Sequence, residues 1–257
     1  MISNLANIHA GAQIGNNVTV SAFATIYDRV VIGDNVYIHP NAVIYPDTII
    51  GDNCQIFPGA IIGVVNQDLK YKGEKSNTVI GNNTVIREYA TIHKGTADRM
   101  TTKVGNNCLI MAYTHLGHDC IIGNNVIIAN NGSLAGHITV EDYVVIEGVV
   151  AAQQFVTIGA HSFVAGASLV RKSVPPYVRV AREPLQFIGV NTIGLARRGF
   201  DKDLIKQIED IYRIIFVRGH NISNALEIVE NEIAESEVRN QILNFIKSQK
   251  DGIIKGI

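Results

Sequence analysis

Proton transfer near neutral pH calls for imidazole, and two of the chain's eight histidines fall within one short segment, Thr114-His115-Leu116-Gly117-His118-Asp119-Cys120. Counting 18 residues on from His118 reaches Gly136, and 18 more reaches Gln154. If the chain returns on itself at that interval, these three stack in one outward column, with His115, His137 and Gln153 within three residues of it along their own coils. An imidazole beside an unhindered glycine amide suits acyl transfer. His118 would take the proton of an attacking hydroxyl, and the Gly136 N–H would hold the oxyanion as it develops. Three histidines could instead bind zinc. His115 and His118, however, are three apart on a strand and corner rather than on one helical face, and no thiolate is at hand, so no metal is expected. His9, His39, His93, His161 and His220 read as scattered, solvated side chains.

The elements that must hold such a column follow from a repeat. Ile or Val occupies positions 8, 14, 20, 26, 32, 38, 44, 50, 56 and 62, and the six-residue step resumes at Ile80, Ile86 and Ile92. It returns in phase from Val104 through Leu116, Leu134 and Ala152 to Val170. No helical period gives this step. Gly-Asn-Asn or Gly-Asp-Asn often follows the aliphatic residue, as at 15–17, 33–35 and 51–53, and these are residues that tolerate tight turns and positive φ. Each hexad is thus a short strand and a corner, and three hexads close a coil of 18 residues. The fold class is mainly β, a parallel β-helix whose core takes one aliphatic side chain per face. The three cysteines, 54, 108 and 120, fall at small core positions. Two insertions, 63–79 and 93–103, leave the prism as loops. The pattern stops after Val170, before Val174-Pro175-Pro176-Tyr177, because proline cannot donate to a ladder. From Asp201 the period becomes three and four, predicting a helix capped by Asp201 and stopped at Gly219, and two more capped by Ser223 and Ser236. The domains are therefore read as 1–190, a β-helix with two external loops, and 191–257, a small helical domain.

Charge narrows the partners. Lys plus Arg number 22 against 23 Asp plus Glu, far from the basic excess of a nucleic-acid binder. No stretch matches a membrane span or a signal peptide, and an odd cysteine count without C-x-x-C argues against a disulfide framework, so a cytoplasmic protein is expected.

Several segments taken together are distinctive: Val65-Asn66-Gln67-Asp68-Leu69-Lys70-Tyr71, Thr114 to Cys120, Ala129-Asn130-Asn131-Gly132-Ser133-Leu134-Ala135-Gly136-His137, and Gly189-Val190-Asn191 followed by Gly194-Leu195-Ala196-Arg197-Arg198-Gly199-Phe200. In this order they closely resemble the UDP-N-acetylglucosamine O-acyltransferases that open bacterial lipid A synthesis. The resemblance spans essentially the whole chain. It implies a left-handed β-helix, a homotrimer with active sites between neighbouring prisms, and transfer of an R-3-hydroxyacyl group from acyl carrier protein to the glucosamine 3-hydroxyl, without a cofactor. It further implies that His118 is the general base and Gly136 the oxyanion donor, with Asp119 tuning the histidine, although adjacent strand residues usually face opposite ways. Gln67, Asp68, Lys70, His115, His137 and Gln154 match sugar-nucleotide contacts. Asn191, Arg197 and Arg198 match the far side of that site, where a guanidinium pair suits a diphosphate. Gly166 lies 18 residues after Gly148, leaving two positions bare of side chain in one column, and it matches the residue that limits acyl length in the family. Two positions depart from relatives: Gln153 where some carry a histidine, and Ile193 where some carry an acid. Arg171, Lys172, Arg179 and Arg182 near the prism's end would meet the acidic carrier. A related N-acyltransferase with an amino-sugar acceptor, and a non-catalytic or metal-binding prism, are the alternatives.

Overall fold

The computed structural model describes residues 1–256. Its strands are mostly two residues long, with the outward residue partly exposed and the inward one buried. Ile26, Ile38, Ile44, Ile56, Ile62, Ile86, Ile92 and Leu116 are at most 1% exposed, and burying each contributes roughly 2 kcal/mol. The strands form three faces, parallel but for the last strand of the third: nine strands from Asn7–Ile8 to Leu169–Val170, eight from Gln13–Ile14 to Thr157–Ile158, and ten from Thr19–Val20 to Gln186–Val190. Up to Val170 partners differ by 18 residues wherever no insertion intervenes, as for Leu116 with Leu134 and Leu134 with Ala152, and beyond it the interval shortens to 16, Val164 pairing with Val180. Across the insertions the interval lengthens, Ile62 pairing with Ile92 and Ile80 with Val104, yet every aliphatic residue still points inward.

The corners divide their labour differently from the expectation. Positive φ falls on the third residue after the aliphatic one, such as Asn17, Asn35, Asn53, Asp119 and His137, and not on the glycine beside it, except at Gly63 before the first insertion. Asparagine and aspartate tolerate that left-handed conformation. The glycine serves close approach instead: a Cβ on Gly105 would sit 2.4 Å from the Gly123 carbonyl oxygen. Both insertions are shorter than the loops read from the sequence. Strands Ile61–Val64, Asn77–Ile80, Thr91–His93 and Thr101–Val104 run into them, leaving 65–76 and 94–100.

The prism also outlasts the break expected after Val170. Val174 bridges Ile158, and Val178–Ala181 pairs in parallel with Phe163–Val164. The two prolines are tolerated because they form a corner, packed where Gly159 carries no side chain. Gln186–Val190 then runs antiparallel to Val178–Ala181 and ends the sheet. Four helices follow: α1 Thr192–Arg197, α2 Lys202–Phe216, α3 Ile222–Glu232 and α4 Glu237–Ser248. Asp201 and Ser236 cap α2 and α4 as expected. The cap of α3 is Asn221, whose Oδ1 accepts from Asn224 N–H, and Ser223 lies inside the helix; α1 was not foreseen. Buried Tyr212 ties the bundle to the prism by donating its hydroxyl to the Pro176 carbonyl at 2.6 Å. No described helix is long and apolar enough to cross a membrane.

Candidate active site

One edge of the prism, between the nine- and eight-stranded faces, carries both insertions and then three consecutive corners: Gly117-His118-Asp119, Ala135-Gly136-His137 and Gln153-Gln154-Phe155. The loops rise from the two coils just before His118. A cleft of about 680 Å³ forms there, lined by Gln67, Asp68, Leu69 and Lys70 from the first loop, by His93, His115 and Ser133 from the adjoining face, and by Gly117, His118, Gly136 and Gln154 from the corners.

Adjacent residues His118 and Asp119 nevertheless meet, with Nδ1 and Oδ2 2.8 Å apart. The reason is the left-handed backbone at Asp119, φ 59°, which breaks strand alternation and turns the carboxylate back toward its neighbour. The Asp119 N–H donates to Thr102 Oγ1 at 2.8 Å, which fixes the turn. Its carboxylate is fully buried. Burial favours the protonated acid, but hydrogen bonds from Thr96 and His118 outweigh it and hold Asp119 below the usual carboxylate range.

Gly136 stands against the same imidazole. A Cβ there would lie 2.5 Å from His118 Cε1 and Nε2, so no other residue fits without moving the ring. Among the described residues the Gly136 N–H has no acceptor. His137 packs edge-on to His118 at 4.8 Å and stacks on Phe155 at 4.5 Å, with its Nδ1 3.0 Å from an Asp98 oxygen. His115 shares a hydrogen bond with Thr91 Oγ1 at 2.8 Å, and burial lowers its pKa. His93 meets His115 edge-on at 4.7 Å; burial, then the neighbouring His115 and His118, push it down to about 4. Such a histidine is a neutral hydrogen-bonding group at pH 7 rather than a cation. His118, Asp119 and His137 place ligand atoms within 4.8 Å of one another. The Asp119 oxygens, however, already accept from Thr96, Arg99 and His118, so this carboxylate is not open to a cation.

The structure thus gathers Gln67, Asp68, Lys70, His115, His118, Gly136 and Gln154 in one cleft, with Asp119 and His137 directly behind it. Other expected residues lie elsewhere on the chain. Asn191 is buried and caps α1, accepting from Gly194 N–H at 3.3 Å and donating to the His161 carbonyl at 2.8 Å. Arg197 closes α1, and Arg198 lies 5.5 Å over the Tyr143 ring, at the edge between the eight- and ten-stranded faces. Gly166 sits on the third edge, where a Cβ would be 3.3 Å from the Gly148 carbonyl oxygen, so the two glycines do stack. Of the basic group, Arg171 pairs with Glu183 and Lys172 donates to the Asp251 carbonyl at 2.7 Å. Sequence reasoning missed His93 by taking it as solvated, and it missed Thr96, Asp98 and Arg99 of the second loop. The position of that loop, one coil before His118, was the available signal.

The fold and the sequence have counterparts among known proteins. The family model described as "Udp N-acetylglucosamine O-acyltransferase; Domain 2" matches residues 174–254, and "Bacterial transferase hexapeptide (six repeats)" matches 29–64 and 101–136. An acyl-[acyl-carrier-protein]–UDP-N-acetylglucosamine O-acyltransferase of Aliivibrio salmonicida is 40% identical over 195 residues, 76% of this chain and 74% of the relative. Among solved structures, a UDP-N-acetylglucosamine acyltransferase from Bacteroides fragilis superposes with a TM-score of 0.97 at 44% identity, covering 99% of this chain and 100% of the other. Another from Campylobacter jejuni gives 0.94 at 37% identity over the whole of both chains.

Proposed function

This chain belongs to the UDP-N-acetylglucosamine O-acyltransferase family, with that family's left-handed parallel β-helix, and from this premise we propose that it moves an R-3-hydroxyacyl group from acyl carrier protein to the 3-hydroxyl of UDP-N-acetylglucosamine, the first step of lipid A synthesis. His118 Nε2 removes the hydroxyl proton as the oxygen attacks the thioester carbonyl. Asp119, hydrogen-bonded to Nδ1, orients the ring and stabilises the imidazolium. The tetrahedral oxyanion is held by the Gly136 N–H. When the C–S bond breaks, the imidazolium returns its proton to the carrier thiolate. The observation that carries this reading is the Gly136 N–H, without an acceptor and set against a His–Asp pair.

Gln67, Asp68, Lys70, His115, His137 and Gln154 bind the sugar nucleotide, and Gly166 sets the acyl length. Arg197 and Arg198, held by the Asn191 cap, meet the diphosphate. Because these arginines and Gly166 occupy other edges of the same prism, a complete site requires a neighbouring copy, which supports a homotrimer with its clefts between prisms. Arg179 and Arg182 receive the acidic carrier. A cytoplasmic location and the division into a prism, 1–190, and a helical domain, 191–257, belong to the same reading. The decisive assay supplies acyl carrier protein thioester and UDP-N-acetylglucosamine and reads the linkage of the product. An ester at the 3-position supports the reading, whereas no turnover with this acceptor, and an amide with its 3-amino analogue, would overturn it.

A further inference from the structure

The second insertion does more than border the cleft. Thr96 donates its N–H to Asp119 Oδ1 at 3.0 Å and its hydroxyl to Oδ2 at 2.6 Å, and the Arg99 N–H reaches Oδ1 at 3.3 Å. A carboxylate offers about four acceptor positions. The loop thus fills all that His118 Nδ1, at 2.8 Å, leaves free. For a fully buried carboxylate this matters, because an ion without partners in such a place is very costly and would take up a proton. A protonated Asp119 could not accept from Nδ1 at Oδ2 in the same way, and the imidazole would be free to put its proton on either nitrogen. An ionised one obliges Nδ1 to donate. That leaves Nε2, the nitrogen against Gly136, as the basic atom facing the cleft.

Resting on the general-base reading of His118, we infer that Thr96 is a positioning residue for the reaction: its hydroxyl and amide hold the Asp119 carboxylate ionised and aimed, and so select the His118 tautomer whose Nε2 is free to accept a proton. The loop is itself braced from outside the cleft. Asn66 Nδ2 and Ser76 Oγ both donate to the Gly95 carbonyl, at 3.3 Å and 2.6 Å, and Glu74 Oε1 accepts from the Ala97 N–H at 3.1 Å. The same bracing connects the loop to the first insertion, which presents Gln67, Asp68 and Lys70. A merely structural Thr96 would therefore disturb sugar-nucleotide affinity together with turnover, whereas a positioning Thr96 acts on turnover alone.

The test uses steady-state kinetics of the full-length protein across the acid limb of its pH profile, for Thr96→Val and Thr96→Ser, with melting temperature measured alongside. Thr96→Val is expected to lose about tenfold in kcat, the worth of one hydrogen bond to a charged group, with KM for UDP-N-acetylglucosamine within about twofold of wild type. Its acid limb should move to higher pH, because a carboxylate relieved of the hydroxyl takes up a proton more readily and then no longer obliges Nδ1 to donate. Thr96→Ser keeps the hydroxyl and should restore most of kcat. In an Asp119→Asn background, Thr96→Val should cost nothing further. Should Thr96→Val melt too early to assay, Thr96→Ala carries the same expectations. Wild-type kinetics, a KM increase matching the fall in kcat with an unmoved acid limb, or a full tenfold loss in the Asp119→Asn background would each overturn the inference. The general-base reading fails separately, through an active His118→Ala protein.

Discussion

Two edges of the same prism have nearly the same backbone and opposite uses. On the edge between the eight- and ten-stranded faces, the second residue of each of the first six corners donates its N–H to the side-chain oxygen one coil on: Asn16 to Asp34, Asp34 to Asp52, Asp52 to Asn82, Asn82 to Asn106, Asn106 to Asn124, and Asn124 to Asp142. On the edge beside the cleft, the corresponding positions are His118, Gly136 and Gln154. There the ladder is interrupted. Gly136 has no side chain to accept from the His118 N–H, and among the described residues neither that N–H nor its own has an acceptor. The third corner position differs as well. It is left-handed asparagine at Asn107 and Asn125, whereas Asp119 and His137 put ionisable groups into the same conformation. A repeat that satisfies its own amides is a scaffold. Where it leaves one unsatisfied beside a base, it can stabilise a developing negative charge.

This contrast can be broken from either side. Removing the proposed base by His118→Ala is expected to lower kcat on the order of a thousandfold while leaving UDP-sugar affinity nearly unchanged, as read by steady-state kinetics and by equilibrium binding. Turnover close to wild type would remove the distinction between the edges. Gly136→Ala keeps the amide but puts a methyl 2.5 Å from the imidazole. A ring displaced by about 1 Å costs roughly a hundredfold, so kcat should fall by that order with little change in melting temperature. Gly166→Met should shift the preferred 3-hydroxyacyl thioester downward by several methylenes, each worth roughly 0.8 kcal/mol of burial, or about fourfold in competition between thioesters. Identical length profiles for the two proteins would place the limit elsewhere. On the ladder edge, Asn106→Ala removes the acceptor of the Asn82 N–H. It should cost roughly 1 kcal/mol, about 3 °C in melting temperature, and leave kcat untouched.

The prism was legible because one inward aliphatic residue every six positions leaves few alternatives, and the stacking of His118, Gly136 and Gln154 follows from that interval alone. His93 was not, because Thr91 pairs with His115 at an interval of 24 residues, not 18, so counting by the repeat never brings it to the cleft. The tie between Asp119 and His118 was doubtful for a related reason. Alternation along a strand forbids it, and only the left-handed corner, which the sequence does not print, reverses the direction. Thr96 lay in a loop without periodicity, where residue type says little about partner. In the C-terminal part, helical periodicity disclosed α2. The six-residue α1 is too short to show a period, and Asn221 was overlooked because a serine two places later is an equally ordinary cap.

The paired intervals have a geometric consequence. Since each full turn of 18 residues advances the chain by one strand spacing, about 4.8 Å, and brings it back to the same face, distance along the axis and direction around it are independent coordinates. Lengthening the prism by one whole turn between Gln154 and the helices would carry the C-terminal bundle away from the cleft in a single discrete step without rotating it, whereas adding a lone hexad within the wall would swing everything beyond it onto the next face. Residues that bulge outward at a corner do neither, which is why the chain accommodates its two insertions and still brings the His118 corner to the edge that carries both loops.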